Sequence, residues 1–481
     1  MNFLSYEFVL FFLAAAAVYF LFPRKLRPAV LLTASLAFYG LIRLDFLALL
    51  VAEALAAYGS GLWLGKKDRP ARRPVFIGSL VVLLAPLLVF KYSDFFLRTL
   101  ADVVRGGNAS PAKTLVGLAL PAGISFYTFK SLSYVIDVYR GRLAATGNPI
   151  LVGAYIAFFP QIFAGPIERA GNFMAQIRGE CRLRMDGVWI IMGGLFKKLV
   201  VADRLSQYVN VVFDQPQNHA DLSLLFGLIF YSFQIYCDFS GYSDMAIGLA
   251  RILGIETMEN FHFPYFSRSI SEFWSRWHIS LSSWLRDYLF LPISYALSRK
   301  IKPDRFLFMK TELFIYGLGM SVTMLLCGLW HGANWTFVVW GGLHGFYMIF
   351  SRATNKGRSR LARRLRLRRS GRLWSLFRSV FVFGLVTLAW VFFRSPSLAS
   401  AWSYLSSISF KLPRRGVGAL LFMAGLVAVF ILFEALQKNR QALWGERRIP
   451  VPVQAVALAF CLSLLILLAA DTSNEFLYFQ F

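Results

Sequence analysis

Five histidines occur in the 481 residues, and one of them, His331, stands in "LLCGLWHGANWTFVVWGGLHG" (325–345), a stretch that is otherwise almost wholly apolar. An ionisable side chain inside a membrane-type run is costly and marks a functional site by default. A desolvated imidazole is neutral, and a neutral imidazole can take a proton from a hydroxyl group, as a general base must. It can equally bind a carbonyl, so the residue suggests acid–base work without fixing a reaction. The structural alternative is a histidine whose nitrogens bond nearby carbonyls and hold the "HGANW" turn. Rarity of such groups at membrane depth favours function. Gly332, next in the chain, allows a tight bend and close packing.

His278, in "FWSRWHISLSSWLRDYLF" (273–290), is the second candidate. It lies near an apolar stripe, with Trp274 one turn earlier and Arg286 two turns later. Packing between tryptophans at an interface is its alternative role. His344 and His262 read as structural and His219 as solvated. No pair of histidines has the HExxH spacing of a catalytic zinc site, so no metal is expected. Asp238 and Asp244 flank a Ser-Gly-Tyr sequence inside an apolar run. Six residues on a helix advance about 600°, about 120° short of two turns, so a shared face requires a break between them. Asp238 reads either as the lining of a polar cavity or as one half of a buried ion pair. Nucleophile-elbow, phosphate-loop and dinucleotide motifs are absent.

The elements that must hold these residues are membrane helices. Hydrophobic residues make up 57% of the chain and charged residues only 16%, against about 25% charged in ordinary soluble proteins. The chain is therefore expected to be an all-α polytopic membrane protein. Apolar runs place spans near 5–22, 28–43, 45–64, 74–92, 114–137, 186–212, 222–254, 311–330, 333–351, 374–393, 417–436 and 451–470. The net charge of +26 is not spread evenly. It gathers at Arg24, Lys25 and Arg27, at Lys66, Lys67, Arg69, Arg72 and Arg73, and in 352–372, which holds ten basic residues and no acid. Such clusters hold loops in the cytoplasm and attract anionic lipid, and no nucleic-acid module accompanies them. An even number of spans, about twelve, then leaves both termini outside, with an uncleaved first span. Cys181, Cys237, Cys327 and Cys461 are too scattered for a disulfide framework or a zinc site.

Three segments depart from a simple bundle. Residues 147–173 are apolar but interrupted at Pro160 and Pro166, which suggests a re-entrant segment buried in protein. Residues 231–254 carry Asp238, Gly241 and Asp244. Residues 263–293 form an amphipathic stretch in which Phe266, Ile270, Phe273, Trp277, Leu281, Trp284 and Tyr288 make one stripe. Arg268, Glu272, Arg276 and Asp287 lie off it, so this helix is expected at the cytoplasmic interface. No repeat of the transporter kind is present.

The motifs "YSFQIYCDFSGYSDMAIGLARILG", "FPYFSRSISEFWSRWHISLSSWLRDYLFLPI" and "LWHGANWTFVVWGGLHG" together resemble the core of the membrane-bound O-acyltransferase (MBOAT) family. "PAGISFYTFKSLSYVIDVYRG", "FFPQIFAGPIERAGNF" and the terminal "FLYFQF" extend the likeness to its bacterial alginate O-acetylation branch. The resemblance implies a single integral-membrane domain over 1–481, with a catalytic core at about 114–351 and peripheral helices in 1–112 and 374–481. It implies a ring of about 11–12 transmembrane helices with a central tunnel and re-entrant or interfacial helices. It also assigns the catalytic histidine to the "WHG" motif, here His331, and a second polar site position to "RWH", here His278. Asp238, Arg276, Asn334 and Trp330 are carried as supports.

The expected function is a membrane O-acetyltransferase of the bacterial inner membrane. Acetyl-CoA is the donor substrate, no cofactor is held tightly, and a polysaccharide outside the membrane is the acceptor. A periplasmic SGNH-type acetyltransferase is the expected partner. By the loop charges, His278 should lie on the cytoplasmic side and His331 nearer the outside, with a tunnel between them. A polysaccharide-export component without acyl transfer, and an acyltransferase fed by an acyl carrier protein as in D-alanylation, are the alternatives.

Overall fold

The computed structural model describes residues 3–66, 68, 70–104, 117–163, 165–219, 221–364, 371–413, 416–438 and 451–470. The "FLYFQF" motif, Lys67, Arg69 and most of the basic loop 438–448 lie outside the described residues, as does 365–370 of the long basic run. The chain divides into two compact units, one of 1–191 with 242–259 and one of 192–241 with 260–481.

In the first unit, α1 (Tyr6–Leu21), α2 (Arg27–Arg43), α3 (Leu47–Leu64) and α4 (Arg72–Leu87) follow the predicted apolar runs. A π-helical turn, Leu88–Tyr92, carries α4 into α5 (Ser93–Val104), so this helix outruns its expected end at 92. By contrast α6 (Ile124–Tyr139) starts later than the expected 114. Pro121 stands just before it, and a proline biases its preceding residue away from the helical region.

The interrupted segment resolves into α7 (Pro149–Ala157) and α8 (Ala170–Arg178), separated by irregular backbone that holds both prolines. Asn148 caps α7 by accepting from the backbone N–H of Ile150 at 3.0 Å, which satisfies a donor that the first helical turn leaves open. Irregular backbone in an apolar setting survives only if its polar groups are met within the protein. Here the Phe159 N–H donates to Ser35 Oγ at 3.1 Å, the buried Lys130 Nζ donates to the Tyr155 carbonyl at 3.0 Å, and the Tyr155 hydroxyl donates to the Glu168 carbonyl at 2.8 Å.

Then α9 (Gly187–Leu195), a π-helical turn Phe196–Ala202 and α10 (Asp203–Asp214) run on as one rod. The next helix, α11 (Leu222–Ile252), is continuous through Ser240, Gly241 and Tyr242. The expected break is therefore not there: the small residues let a neighbour approach without disturbing the helical hydrogen bonds, and Asp238 and Asp244 do not share a face.

The second unit continues with α12 (Ile270–Trp274), α13 (Ile279–Leu285) and α14 (Leu291–Lys300). A two-stranded hairpin follows, β1 (Arg305–Phe306) and β2 (Met309–Lys310). Next come α15 (Thr311–His331), α16 (Trp335–Arg364), α17 (Arg372–Arg394), α18 (Leu398–Ser407), α19 (Val417–Lys438) and α20 (Val451–Leu468).

Among the described residues, six helical runs are long and apolar enough to cross a membrane: 24–64, 72–104, Leu222–Ile252, Thr311–His331, Arg372–Arg394 and Val417–Lys438. Six rather than twelve meet this measure; among the differences, 24–64 merges two expected spans, and α1 and α6 have only 16 residues each. Exposed leucine, valine and phenylalanine along α1, α4, α17 and α19 are what lipid contact requires. The architecture is that of an all-α multi-pass membrane protein.

The amphipathic stretch keeps its predicted stripe, with Ile270, Phe273, Trp277, Leu281 and Trp284 all buried. It is not one helix, however. The chain breaks between α12 and α13 at His278, whose backbone is left-handed (φ 43°, ψ 55°).

Candidate active site

Helices α15 and α16 form a tight antiparallel pair that carries the "WHG" turn. A Cβ placed on Gly341 would lie 2.1 Å from the Met324 carbonyl oxygen, and one on Gly328 would lie 2.1 Å from that of Phe337. Only glycine allows the two backbones this close. At the turn, Gly332 is extended (φ −162°), so any residue could adopt its backbone. It is small for another reason: a Cβ there would meet the Phe337 ring at 2.1 Å. Asn334 caps α16, accepting from the Thr336 N–H at 3.0 Å, while its amide donates to the Pro396 carbonyl at 3.0 Å. Its side chain is engaged in holding the turn.

His331, the last residue of α15, is buried among aromatic rings. Its centroid lies 5.0 Å from Trp330, 5.0 Å from Trp340 and 5.3 Å from Phe393. His278 is 6.5 Å away, and Trp330 contacts both histidines, at 5.9 Å from His278. The two rings expected at the ends of a tunnel thus lie close together. They form one site, because the break between α12 and α13 turns His278 inward and leaves it fully buried.

The left-handed backbone at His278 is held by the preceding loop. The Ile279 N–H donates to the Asn260 carbonyl at 2.9 Å, and the His262 N–H donates to the Arg276 carbonyl at 2.9 Å. Asn260 Oδ1 then accepts from the Ser280 N–H at 3.2 Å and the Ser280 hydroxyl at 2.8 Å, and lies 3.1 Å from His278 Nδ1. A backbone N–H is only a donor, so the atom that accepts it is the amide oxygen. Nδ1 of His278 must therefore carry the proton in this contact, which makes Nε2 the acceptor. Burial pushes the imidazole down to about 3, so the ring is neutral. Phe239 of α11 closes edge-on against it at 4.6 Å.

The remaining expected supports are placed differently. Asp238 is a partner of Lys198, whose Nζ lies 2.7 Å from Asp238 Oδ1 and 2.8 Å from Asp203 Oδ1, with all three side chains buried. Asp238 precedes Phe239, so this cluster anchors α11 where its aromatic ring meets His278. Arg276 pairs with Glu272 at 2.8 Å, and the exposed Arg286 pairs with Asp287 at 2.9 Å. His344, read as structural, is buried and accepts from Trp274 Nε1 at 3.3 Å. Lys198 and Asn260 escaped the sequence reading. A lysine within the apolar "GLFKKLVVADR", five residues before an aspartate, was a usable signal for the first. Asn260 lies in a loop without periodicity and gave none. No cluster of metal-binding side chains occurs among the described residues.

Buried histidines paired among tryptophan and phenylalanine, at the end of a membrane helix, are what acid–base chemistry at a hydroxyl inside a membrane enzyme would use. The family comparison agrees: residues 142–395, which contain every residue of the site, match the membrane-bound O-acyltransferase family. The chain belongs to that family and is a multi-pass membrane O-acyltransferase. It is 38% identical to "Probable alginate O-acetylase AlgI" of Azotobacter vinelandii over 85% of this chain and 78% of that protein. It is 32% identical to a peptidoglycan O-acetyltransferase of Helicobacter pylori, over 83% of this chain and 76% of the relative. A teichoic acid D-alanyltransferase of Bacillus subtilis is 28% identical over 57% of this chain and 67% of its own length.

Proposed function

We propose that the protein takes an acetyl group from acetyl-CoA at the cytoplasmic face of the inner membrane and delivers it for O-acetylation of a polysaccharide outside, such as alginate. The observation that carries this reading is the pairing of His278 and His331 at 6.5 Å within one buried aromatic site. His331 acts as general base: it takes the proton of an acceptor hydroxyl as the oxygen attacks the thioester carbonyl. The new C–O bond forms, the C–S bond breaks, and the imidazolium returns the proton to the departing thiolate. His278, protonated at Nδ1, offers only an acceptor at Nε2. It orients a donor N–H or the acceptor hydroxyl, and is not the group that stabilises the oxyanion.

The immediate acceptor is a serine of a periplasmic SGNH-type partner, which completes transfer to the polymer. Basic loops on the cytoplasmic side draw the phosphates of CoA by long-range attraction, and both termini are periplasmic. The acetyl-transferring relatives cover more of the chain at higher identity than the D-alanyltransferase, which favours a thioester of CoA over a charged carrier protein. Purified protein in liposomes decides between them. With radiolabelled acetyl-CoA outside and a soluble acceptor protein, label is expected to pass to the acceptor. Transfer from an acetylated carrier protein alone would reject the donor assignment. Absence of transfer from either donor would favour the export reading.

A further inference from the structure

Between α14 and α15 the chain makes a two-residue hairpin, with Arg305 opposite Lys310 and Phe306 opposite Met309. Its tip is Leu307 and Phe308, and both have left-handed backbone (φ 45° and 63°). Tight hairpins require this conformation and normally assign it to Asn or Gly, since L-residues with a full side chain are strained there. Leu307 and Phe308 are neither, and they point outward: Phe308 is 99% exposed and Leu307 59%. Local strain at an exposed apolar tip is evidence that the tip meets something.

The surroundings identify what it meets. Arg299, Lys300, Lys302, Arg305 and Lys310 are all exposed, against two acids, Asp304 and Glu312. The hairpin is fixed to the helix that follows it. Phe306 packs on Phe314 of α15 at 4.8 Å. The Thr311 N–H donates to the Asp304 carbonyl at 3.0 Å, and the Thr311 hydroxyl donates to the Pro303 carbonyl. Thr311 is also the first residue of a membrane-crossing helix. The tip therefore sits within a few residues of the point where the chain enters the bilayer.

We propose that this hairpin is an interfacial anchor, which inserts Leu307 and Phe308 among the headgroups of an anionic lipid leaflet while the five cations meet the lipid phosphates. Apolar tip and basic rim are the two elements of such binding. An acidic soluble protein offers the same charge, but it would have to reach a tip tied directly to a span, so lipid is the better match. The anchor has a consequence for the site. His331 ends the same 21-residue helix that Thr311 begins, so the depth at which the hairpin seats also sets the depth of the histidine.

The test uses the full chain in nanodiscs with and without phosphatidylglycerol. A Phe308→Cys variant on a Cys461→Ser background carries an environment-sensitive fluorophore, the other three cysteines being buried. With anionic lipid, emission should shift to the blue and be quenched by lipid spin-labelled near the headgroup, about twofold more than for the same label at Lys302→Cys. Water-like emission without lipid quenching at position 308 overturns the proposal and leaves the acidic-protein reading in its place. The unlabelled Arg305→Gln/Lys310→Gln variant guards against insertion driven by the fluorophore. Phosphatidylglycerol should raise its melting temperature by about half as much as that of the parent, or less. An undiminished rise also overturns the proposal.

Discussion

Asn260 fixes the tautomer in which His278 is held. Its amide oxygen takes three donors at once, two from Ser280 and one from the imidazole, and so decides which ring nitrogen presents a lone pair. Asn260→Ala releases that choice, and a histidine in the wrong tautomer loses its function even where geometry survives. We expect kcat to fall about tenfold or more with little change in KM, and Asn260→Asp, which keeps an acceptor, to recover most of it. Steady-state kinetics on purified protein would show this. Equal activity of Asn260→Ala and the parent removes the tautomer argument. At this scale the sequence showed His331 clearly, because an imidazole stands out in an apolar run. It offered His278 as a second candidate beside an apolar stripe, with packing between tryptophans as the alternative. That His278 turns inward depends on a left-handed backbone fixed from the 260–262 loop, which periodicity does not encode.

The elements around the site are held by a buried charge cluster as well as by packing. Lys198 neutralises part of the charge of Asp203 and Asp238 across the π-helical turn, α10 and α11. Removing one partner of a buried ion pair leaves an uncompensated charge, at a cost of about 3–5 kcal/mol. Lys198→Met should therefore lower the melting temperature in detergent sharply, followed by tryptophan fluorescence. Adding Asp203→Asn and Asp238→Asn to the same chain should restore much of the loss, since apolar or neutral replacement of the whole cluster is well tolerated. A Lys198→Met protein that melts with the parent would show that the cluster contributes little to stability. Helix positions were the most legible feature, because lipid enforces long apolar runs. The expected 374–393 is α17, and the expected 417–436 is α19, each within two residues at either end. Breaks were less legible. The Ser-Gly-Tyr sequence reads as an interruption but lies in a continuous α11, where small residues serve close packing and leave the helix intact.

For the whole molecule the account has two parts, an orientation and a reaction. The proposed orientation rests on the basic loops that the sequence sets between apolar runs, which the positive-inside tendency assigns to the cytoplasm. Cysteine at the exposed Ala353 should react with an impermeant thiol reagent only after the inner membrane is opened, and cysteine at the exposed Gln217 should react in intact spheroplasts. Reversed labelling would invert the donor-inside, acceptor-outside scheme. The reaction rests on His331. Its test compares His331→Ala with the parent for transfer of radiolabelled acetyl from acetyl-CoA to acceptor, using protein of equal monodispersity in detergent. The account predicts a loss well beyond tenfold, since a tenfold change corresponds to only about 1.4 kcal/mol and a general base contributes more. A folded His331→Ala protein that keeps more than about a tenth of the parent rate would contradict it.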